Sequence, residues 1–292
     1  MHADLEAWLA DAGTRGFWTA LNPELKLEAP QVPPLFTVDE GWRGQLWSDL
    51  LTEGYFHLGP RLPPDHIGRM AAAVRRLVSA QIPPVFMYLY DDFYNLHGYL
   101  HDFIAALLGP GFRVLPDLWA WCVDPGPTAK GWRPHRDRDY AALRPNGLPK
   151  SLSIWVPLTD ATPWNGCMYV MPAARDRNYH ARVMKCDVPN LQDIRALPAE
   201  AGSVLGWNQA LLHWSGRSSS RATEPRLSFS IEYQRGDEPA FNAPLLDPLE
   251  LPRFERRLGL VGKQMLQYRH MYHVGAGFER VAELLVARYP VA

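Results

Sequence analysis

Between Arg226 and Tyr233 the chain alternates strictly: Leu227, Phe229, Ile231 and Tyr233 fall on one parity, and Arg226, Ser228, Ser230 and Glu232 on the other. A period of two places alternate side chains on opposite faces of a strand, so this segment predicts a β-strand with one oily and one polar face. Weaker forms of the same texture come before it. Residues 112–123 read as a strand with Trp119 and Trp121 on one parity, and 151–158 runs Ser-Leu-Ser-Ile-Trp-Val-Pro-Leu. Residues 167–171 form a short apolar run after a Trp164-Asn165-Gly166 turn, and 203–207 another after Ala201-Gly202. Many of the 27 prolines sit between short apolar runs, which suits many strands and turns better than a helical bundle.

Helical spacing is confined to the two ends. Ile67, Met70, Ala71, Val74, Leu77 and Val78 predict a helix over 65–80, and Leu96, Leu100, Phe103, Ile104 and Leu107 one over 94–108, stopped by Gly109-Pro110-Gly111. Weaker periodicity marks 2–13 and 41–51, residues 22–36 read as a Pro-rich extended arm, and two further helices are expected near 247–260 and 277–289. The fold class is therefore α+β, an all-β core with flanking helices. It is either a plain antiparallel sheet or barrel, or a jelly roll with helices on one outer face, and periodicity does not separate the two. With 292 residues the expectation is one domain over 1–292: a helical and extended part to about 110, a strand-rich core over 111–236 and a helical part from 237.

A net charge of −1 gives no basic excess for a nucleic-acid backbone and no polybasic anchor for a membrane. No apolar run reaches the roughly 20 residues of a membrane span. The opening Met-His-Ala-Asp-Leu-Glu lacks the pattern of a secretory signal, and the odd set Cys122, Cys167 and Cys186 suits no disulfide framework, so a cytoplasmic setting is expected.

Three polar segments can carry chemistry. In Trp132-Arg133-Pro134-His135-Arg136-Asp137, His135 and Asp137 are two apart, so on an extended segment both reach the same side and can share a metal; alone, such a pair also suits a solvated surface. His213 closes an apolar stretch before the turn at Ser215-Gly216, a place equally suited to a core or turn histidine. Arg226 points away from the oily parity of its strand, where it needs either an internal carboxylate such as Glu232 or the carboxylate of a ligand. Taken together, two histidines and one carboxylate make a facial triad with open positions, the arrangement of non-haem Fe(II) oxygenases, and an arginine fork fits the far carboxylate of a 2-oxo acid.

At this point the chain resembles the phytanoyl-CoA dioxygenase-like group of Fe(II)/2-oxoglutarate oxygenases. The resemblance rests on His135-Arg136-Asp137-Arg138-Asp139-Tyr140, Ser153-Ile154-Trp155-Val156-Pro157-Leu158, Asn165-Gly166-Cys167-Met168-Tyr169-Val170-Met171-Pro172, Ala201-Gly202-Ser203-Val204, His213-Trp214-Ser215-Gly216 and Arg226-Leu227-Ser228, in family order. It implies a double-stranded β-helix (a cupin-like jelly roll), with His135, Asp137 and His213 as iron ligands and Arg226 gripping 2-oxoglutarate. It further implies a hydroxyl at Ser215 near the same carboxylate and Trp155 on the pocket floor; Ser228 shares the parity of Arg226 and can donate as well. The interval from His213 to Arg226 is about two residues longer than the family pattern, which makes Arg221 a rival for the clamp, and Ala173 stands where the family has glycine.

The resemblance implies Fe(II), 2-oxoglutarate and O2 acting on a small-molecule substrate, with release of succinate and CO2. Related halogenases have a small residue in place of the carboxylate, so Asp137 points to hydroxylation. Two other readings stay open: a non-catalytic jelly-roll protein that binds a small acid, and a cupin-like metal-dependent hydrolase or isomerase. Among the remaining candidates, His270 and His273 are three apart without an acidic partner, Asp137 and Asp139 are a poor acid/base pair, and Cys167 reads as a small buried hydrophobe. The Tyr88-to-Tyr94 stretch is either an ordinary connection or a lid, and Trp119 and Trp121 either fill the core or line a pocket.

Overall fold

The computed structural model describes residues 2–27, 32–126, 131–181, 184–188, 190–270 and 274–291. Its nine described strands form two antiparallel sheets. The larger has five: β1 (Tyr55–Pro60), β2 (Arg113–Val123), β4 (Ser151–Pro157), β7 (Ser203–Asn208) and β9 (Arg226–Gln234), in the order β1-β7-β4-β9-β2. The smaller has four: β3 (Trp132–His135), β5 (Met168–Met171), β6 (Arg195–Leu197) and β8 (Leu212–Ser215), in the order β3-β8-β5-β6. Strands that alternate between two sheets in this way make a jelly roll, the sharper of the two architectures that periodicity allowed.

The alternation of β9 is realised as expected. Leu227, Phe229, Ile231 and Tyr233 are fully buried in a hydrophobic cluster that joins the large sheet to the helices. In β4, Leu152, Ile154 and Val156 enter the same cluster, while Trp155 packs with Leu205 and Trp207 in a second cluster on the other side of the sheet. The large sheet is therefore oily on its helix-facing side and mixed on its inner side, and that inner side frames the site.

Helices α1 (His2–Ala12), α2 (Arg15–Leu21), α3 (Glu40–Thr52), α4 (Pro64–Ser79), α5 (Asp91–Leu108), α6 (Phe254–Tyr268) and α7 (Ala276–Arg288) make up the rest of the described regular structure, with short 3-10 turns between elements. α4 opens with Pro64 in its first turn and buries Ile67, Met70, Val74 and Leu77, the stripe seen in the sequence. α5 ends at Gly109, whose φ of 92° only glycine adopts easily. No helix is long and apolar enough to cross a membrane among the described residues.

Four details depart from expectation. α5 begins at Asp91, because Asp91 accepts a hydrogen bond from Arg257 (2.5 Å) and Asp92 one from the Lys26 backbone (2.9 Å), so two acids open the helix from inside the core. Tyr88, Tyr90 and Tyr94 are buried with them, which makes this stretch core rather than lid. The strands are not confined to the middle of the chain, since Tyr55–Pro60 adds an edge strand; Phe56 lies opposite Gly206, where any Cβ would overlap its ring. Finally, the helix expected near 247–260 runs over Phe254–Tyr268. Leu246 is held in a bridge to Val114 and prolines follow at 248 and 252, so helix formation waits until Arg253.

His97 on α5 is 2% exposed; its Nδ1 contacts the Tyr233 hydroxyl at 2.9 Å, and burial lowers its pKa to about 3. The folded pKa lies below the unfolded value of 6.5, so the unfolded chain takes up a proton that the native one refuses. Stability should therefore fall as the pH drops below 6.5, because protonation of the unfolded chain at His97 draws the equilibrium away from the native state. Urea unfolding at pH 7.0, 5.5 and 4.5 should show a shallower loss in His97→Asn than in the wild type; equal slopes would count against this assignment.

Candidate functional site

β3 and β8 are neighbours in the small sheet, and their register sets His135 directly against His213. The ring centroids lie 4.2 Å apart. Asp137 follows β3 by two residues, and its Oδ1 lies 3.6 Å from Nε2 of His135 and 3.6 Å from Nε2 of His213. Ligating atoms of all three residues lie within 4.8 Å of one another. The structure thus brings together three side chains that the sequence could only align by spacing.

The backbone sets how the imidazoles face. Nδ1 of His135 meets the Arg133 carbonyl at 2.8 Å, and Nδ1 of His213 meets the Leu211 carbonyl at 3.0 Å. Each carbonyl needs a proton on Nδ1, which leaves the lone pair on Nε2 turned toward Asp137, as a metal ligand requires. Burial, aided by the charges of His135 and Arg136 and opposed by Asp137, lowers the His213 pKa to about 4, so the ring is neutral at pH 7. Burial pushes the Asp137 carboxyl up, but His213, His135 and the Ser153 hydroxyl together outweigh it and hold Asp137 well below the usual carboxylate range. The arrangement is two imidazoles facing one carboxylate, a donor set that fits a divalent transition metal.

The guanidinium of Arg136, between the two β3-side ligands, is engaged within the protein. It makes a buried ion pair with Asp176 at 2.5 Å and donates to the Ala210 carbonyl at 2.6 Å. Asp139 accepts from the Ala141 backbone and caps the turn at 140–142, so it takes no part in the triad.

The triad opens onto a cavity of about 430 Å³, within the range of small-molecule sites. Arg226 lines the same cavity and is 2% exposed. Its guanidinium lies over the Trp155 ring at 5.6 Å and near the Met168 sulfur at 3.9 Å. Its Nε has no hydrogen-bond partner and it joins no ion pair among the described residues. Burial lowers its pKa to about 10, which still leaves it charged at neutral pH. A buried cation without an anion is costly, and the cavity it faces is where an anion can enter. Glu232, the internal partner considered from the sequence, is engaged elsewhere, with Gln209 (2.5 Å) and Arg138 (3.6 Å). The rival Arg221 is exposed and stacks on Trp164 at 5.1 Å, away from the cavity lining.

The other expected positions are more varied. Trp155 and Ser215 line the cavity, and the Ser215 hydroxyl also accepts from the Trp132 backbone at 2.9 Å. Ser228 is fully buried and its hydroxyl has no hydrogen-bond partner among the described residues, but it is Ser230, one repeat further along the strand, that reaches the lining. His270 lines the cavity, while His273 lies outside the described residues. Cys167 is fully buried.

Several lining residues had no part in the sequence reading. Asp117, Arg138, Gln267 and Tyr268 border the cavity with Glu232. Asn242 donates to both Asp117 oxygens at 2.8 and 2.9 Å, and Gln267 donates to one of them. Burial, with the charges of Asp117 and Asp137, raises the Glu232 pKa well above normal. The rings of Tyr268, Trp119, Trp121 and Trp132 follow one another edge to face, with centroids 5.2, 6.1 and 4.9 Å apart, and form one wall. Asp117 could have been found by parity with Trp119 and Trp121, while Glu232 already falls on the parity of Arg226 in the sequence. Nothing local marks Gln267 or Tyr268.

Residues 90–226 match the model of the phytanoyl-CoA dioxygenase (PhyH) family. The fold is similar to that of the epimerase SnoN, crystallised with Fe3+, alpha ketoglutarate and nogalamycin RO, with a TM-score of 0.52 at 20% identity over 73% of this chain and 94% of SnoN. ThoJ, a non-heme monooxygenase, aligns with a TM-score of 0.57 at 17% identity over 83% of this chain and 99% of ThoJ. SnoK, a non-heme alpha ketoglutarate dependent carbocyclase from nogalamycin biosynthesis, aligns with a TM-score of 0.52 at 16% identity over 75% of this chain and 100% of SnoK. At these identities the likeness is one of fold. No curated protein sequence matches the chain.

Proposed function

We propose, from the premise that residues 90–226 match the phytanoyl-CoA dioxygenase family, that this chain is a non-haem Fe(II)/2-oxoglutarate-dependent oxygenase that hydroxylates a small organic molecule. The observation that carries the reading is the convergence of His135, Asp137 and His213 at a cavity that also holds the Arg226 guanidinium, which has no anionic partner among the described residues. His135, Asp137 and His213 would hold the iron. When bound with 2-oxoglutarate, it supplies the chemistry R–H + O2 + 2-oxoglutarate → R–OH + succinate + CO2, one oxygen atom of O2 going to each organic product.

The chain's own residues do the rest. Arg226 pairs with the far carboxylate of the 2-oxo acid as a two-pronged donor, with Ser215 beside it and Trp155 beneath. Met168, Trp155 and Trp207 keep that end of the cavity apolar, which strengthens the pairing by excluding water. The aromatic wall and the Asp117–Glu232–Arg138 side remain for the substrate, and suit a compact molecule with a flat or apolar face and polar substituents.

One contact must change on loading. Trp132 Nε1 donates to Nε2 of His135 at 3.1 Å, using the lone pair that a metal would take. Anaerobic addition of Fe(II) or Ni(II) should therefore free this indole and alter tryptophan emission. Trp132→Phe should abolish that component and bind metal as tightly as the wild type or more so. The direct test of function is succinate formation from 2-oxoglutarate that requires both Fe(II) and O2, stimulated by members of a small-molecule library. Absence of iron-dependent succinate under every condition would overturn the proposal, and metal-dependent turnover indifferent to 2-oxoglutarate would point to a hydrolase or isomerase.

A further inference from the structure

Asp137 has two oxygens, and the structure treats them differently. Oδ1 faces both imidazoles at 3.6 Å. Oδ2 accepts a hydrogen bond from Ser153 Oγ at 2.6 Å and another from Trp207 Nε1 at 3.2 Å. These donors come from adjacent strands of the large sheet, where Ser153 on β4 and Trp207 on β7 are register partners. Both lie on inward-facing parities, so one rung of the sheet delivers two donors to one oxygen. Gln209 fixes the direction of the shorter bond. Its Nε2 donates to Ser153 Oγ at 3.3 Å, which leaves the single hydroxyl proton for Asp137. Gln209 is itself held: its Oε1 accepts from Ser151 Oγ at 2.5 Å and from Arg138 Nε at 2.8 Å, and its Nε2 donates to Glu232 at 2.5 Å.

We infer that Ser153 and Trp207 are positioning residues that commit Asp137 to ligate through Oδ1 alone, with Gln209 orienting the Ser153 hydroxyl. The inference rests on the oxygenase reading above and deepens it. Its force comes from counting positions. An octahedral ion has six; two imidazoles and one carboxylate oxygen take three, a chelating 2-oxo acid takes two, and one is left for O2. A carboxylate that swings to bind through both oxygens takes that last position. With Oδ2 saturated by two donors, the swing requires breaking two hydrogen bonds to a buried charged group.

The test compares wild type, Ser153→Ala, Trp207→Phe and the conservative Ser153→Thr, each loaded with Co(II) in place of iron under anaerobic conditions. Three quantities are read: Co(II) affinity, the intensity of the ligand-field bands, which reports coordination number, and 2-oxoglutarate affinity of the Co(II)-loaded protein. Ser153→Ala should weaken Co(II) binding by about 10- to 100-fold, the usual effect of removing a ligand's hydrogen-bond partner, and Trp207→Phe should act in the same direction less strongly. Both should change the band intensity and weaken 2-oxoglutarate binding to the loaded protein, and Ser153→Thr should restore wild-type spectrum and affinities. Folded variants with unchanged Co(II) spectra and affinities would overturn the inference; should Ser153→Ala fail to fold, Trp207→Phe carries the same decision. A wild-type protein that binds neither Co(II) nor 2-oxoglutarate would instead overturn the oxygenase reading itself.

Discussion

Replacing Arg226 by methionine should all but abolish 2-oxoglutarate binding while making the ligand-free protein more stable. The two effects have one cause. Methionine removes the positive charge, which is enclosed beside Trp155 and Met168 with no anion among the described residues, and keeps most of the volume. In the ligand-free state the charge carries its desolvation cost uncompensated, so its removal should stabilise the protein by about 1–4 kcal/mol, the range seen when buried ionic groups give way to apolar ones. In the bound state the loss is that of one partner of a buried pair, about 3–5 kcal/mol, or roughly a 10²- to 10⁴-fold rise in Kd. Thermal unfolding of metal-loaded protein with and without 2-oxoglutarate reads both effects at once. The wild type should show a marked rise in Tm with the ligand; Arg226→Met should begin higher and not move. Arg226→Lys keeps the charge but not the fork, and should fall between them. If Arg226→Met binds 2-oxoglutarate within about threefold of wild type, the clamp lies elsewhere; Arg221→Met, altering an exposed side chain stacked on Trp164, is the matched control and should leave binding unchanged.

The second large effect is expected at Asp137. Asp137→Ala leaves two imidazoles with nothing to close the triad, and His213→Ala leaves the carboxylate with a single imidazole. Each should lower Fe(II) affinity by more than the roughly 10- to 100-fold that follows loss of a ligand's hydrogen-bond partner, and succinate formation should fall to background. The control lies two residues along the chain. Asp139→Ala removes the cap of the turn at 140–142 and should cost about 1 kcal/mol in stability, yet metal affinity should be unchanged. Equal metal content in Asp137→Ala and wild type after anaerobic loading would remove Asp137 from the ligand set.

Much of this architecture is written locally in the chain, and the reason differs from element to element. The strand Arg226–Gln234 announces itself because one of its faces is sealed against helices while the other meets a cavity, which forces strict alternation. Helices α4 and α5 announce themselves by an apolar stripe with a proline at one start and a glycine at one end. His135 and Asp137 stand out because two residues on an extended segment must share a face. What local pattern could not reveal depends on pairings between distant residues. The bridge between Val114 and Leu246 delays α6, the Arg136–Asp176 pair occupies one guanidinium of the motif, and the register of Ser153 with Trp207 exists only once β4 and β7 are paired. Arg226 and Arg221, by contrast, are already separable in the sequence: one opens the alternating strand, the other follows the Ser218-Ser219-Ser220 turn and has no strand pattern to aim it.

The last turn of α6 and the residues just after it bring Gln267, Tyr268 and His270 to the cavity. This stretch lies beyond residues 90–226, the part that matches the oxygenase family. One end of the aromatic wall, Tyr268, is thus encoded apart from the cluster proposed to hold iron, while Trp119, Trp121 and Trp132 lie within the matched stretch. On the proposed reading, substitutions at the end of α6 reshape one side of the cavity while leaving His135, Asp137 and His213 untouched.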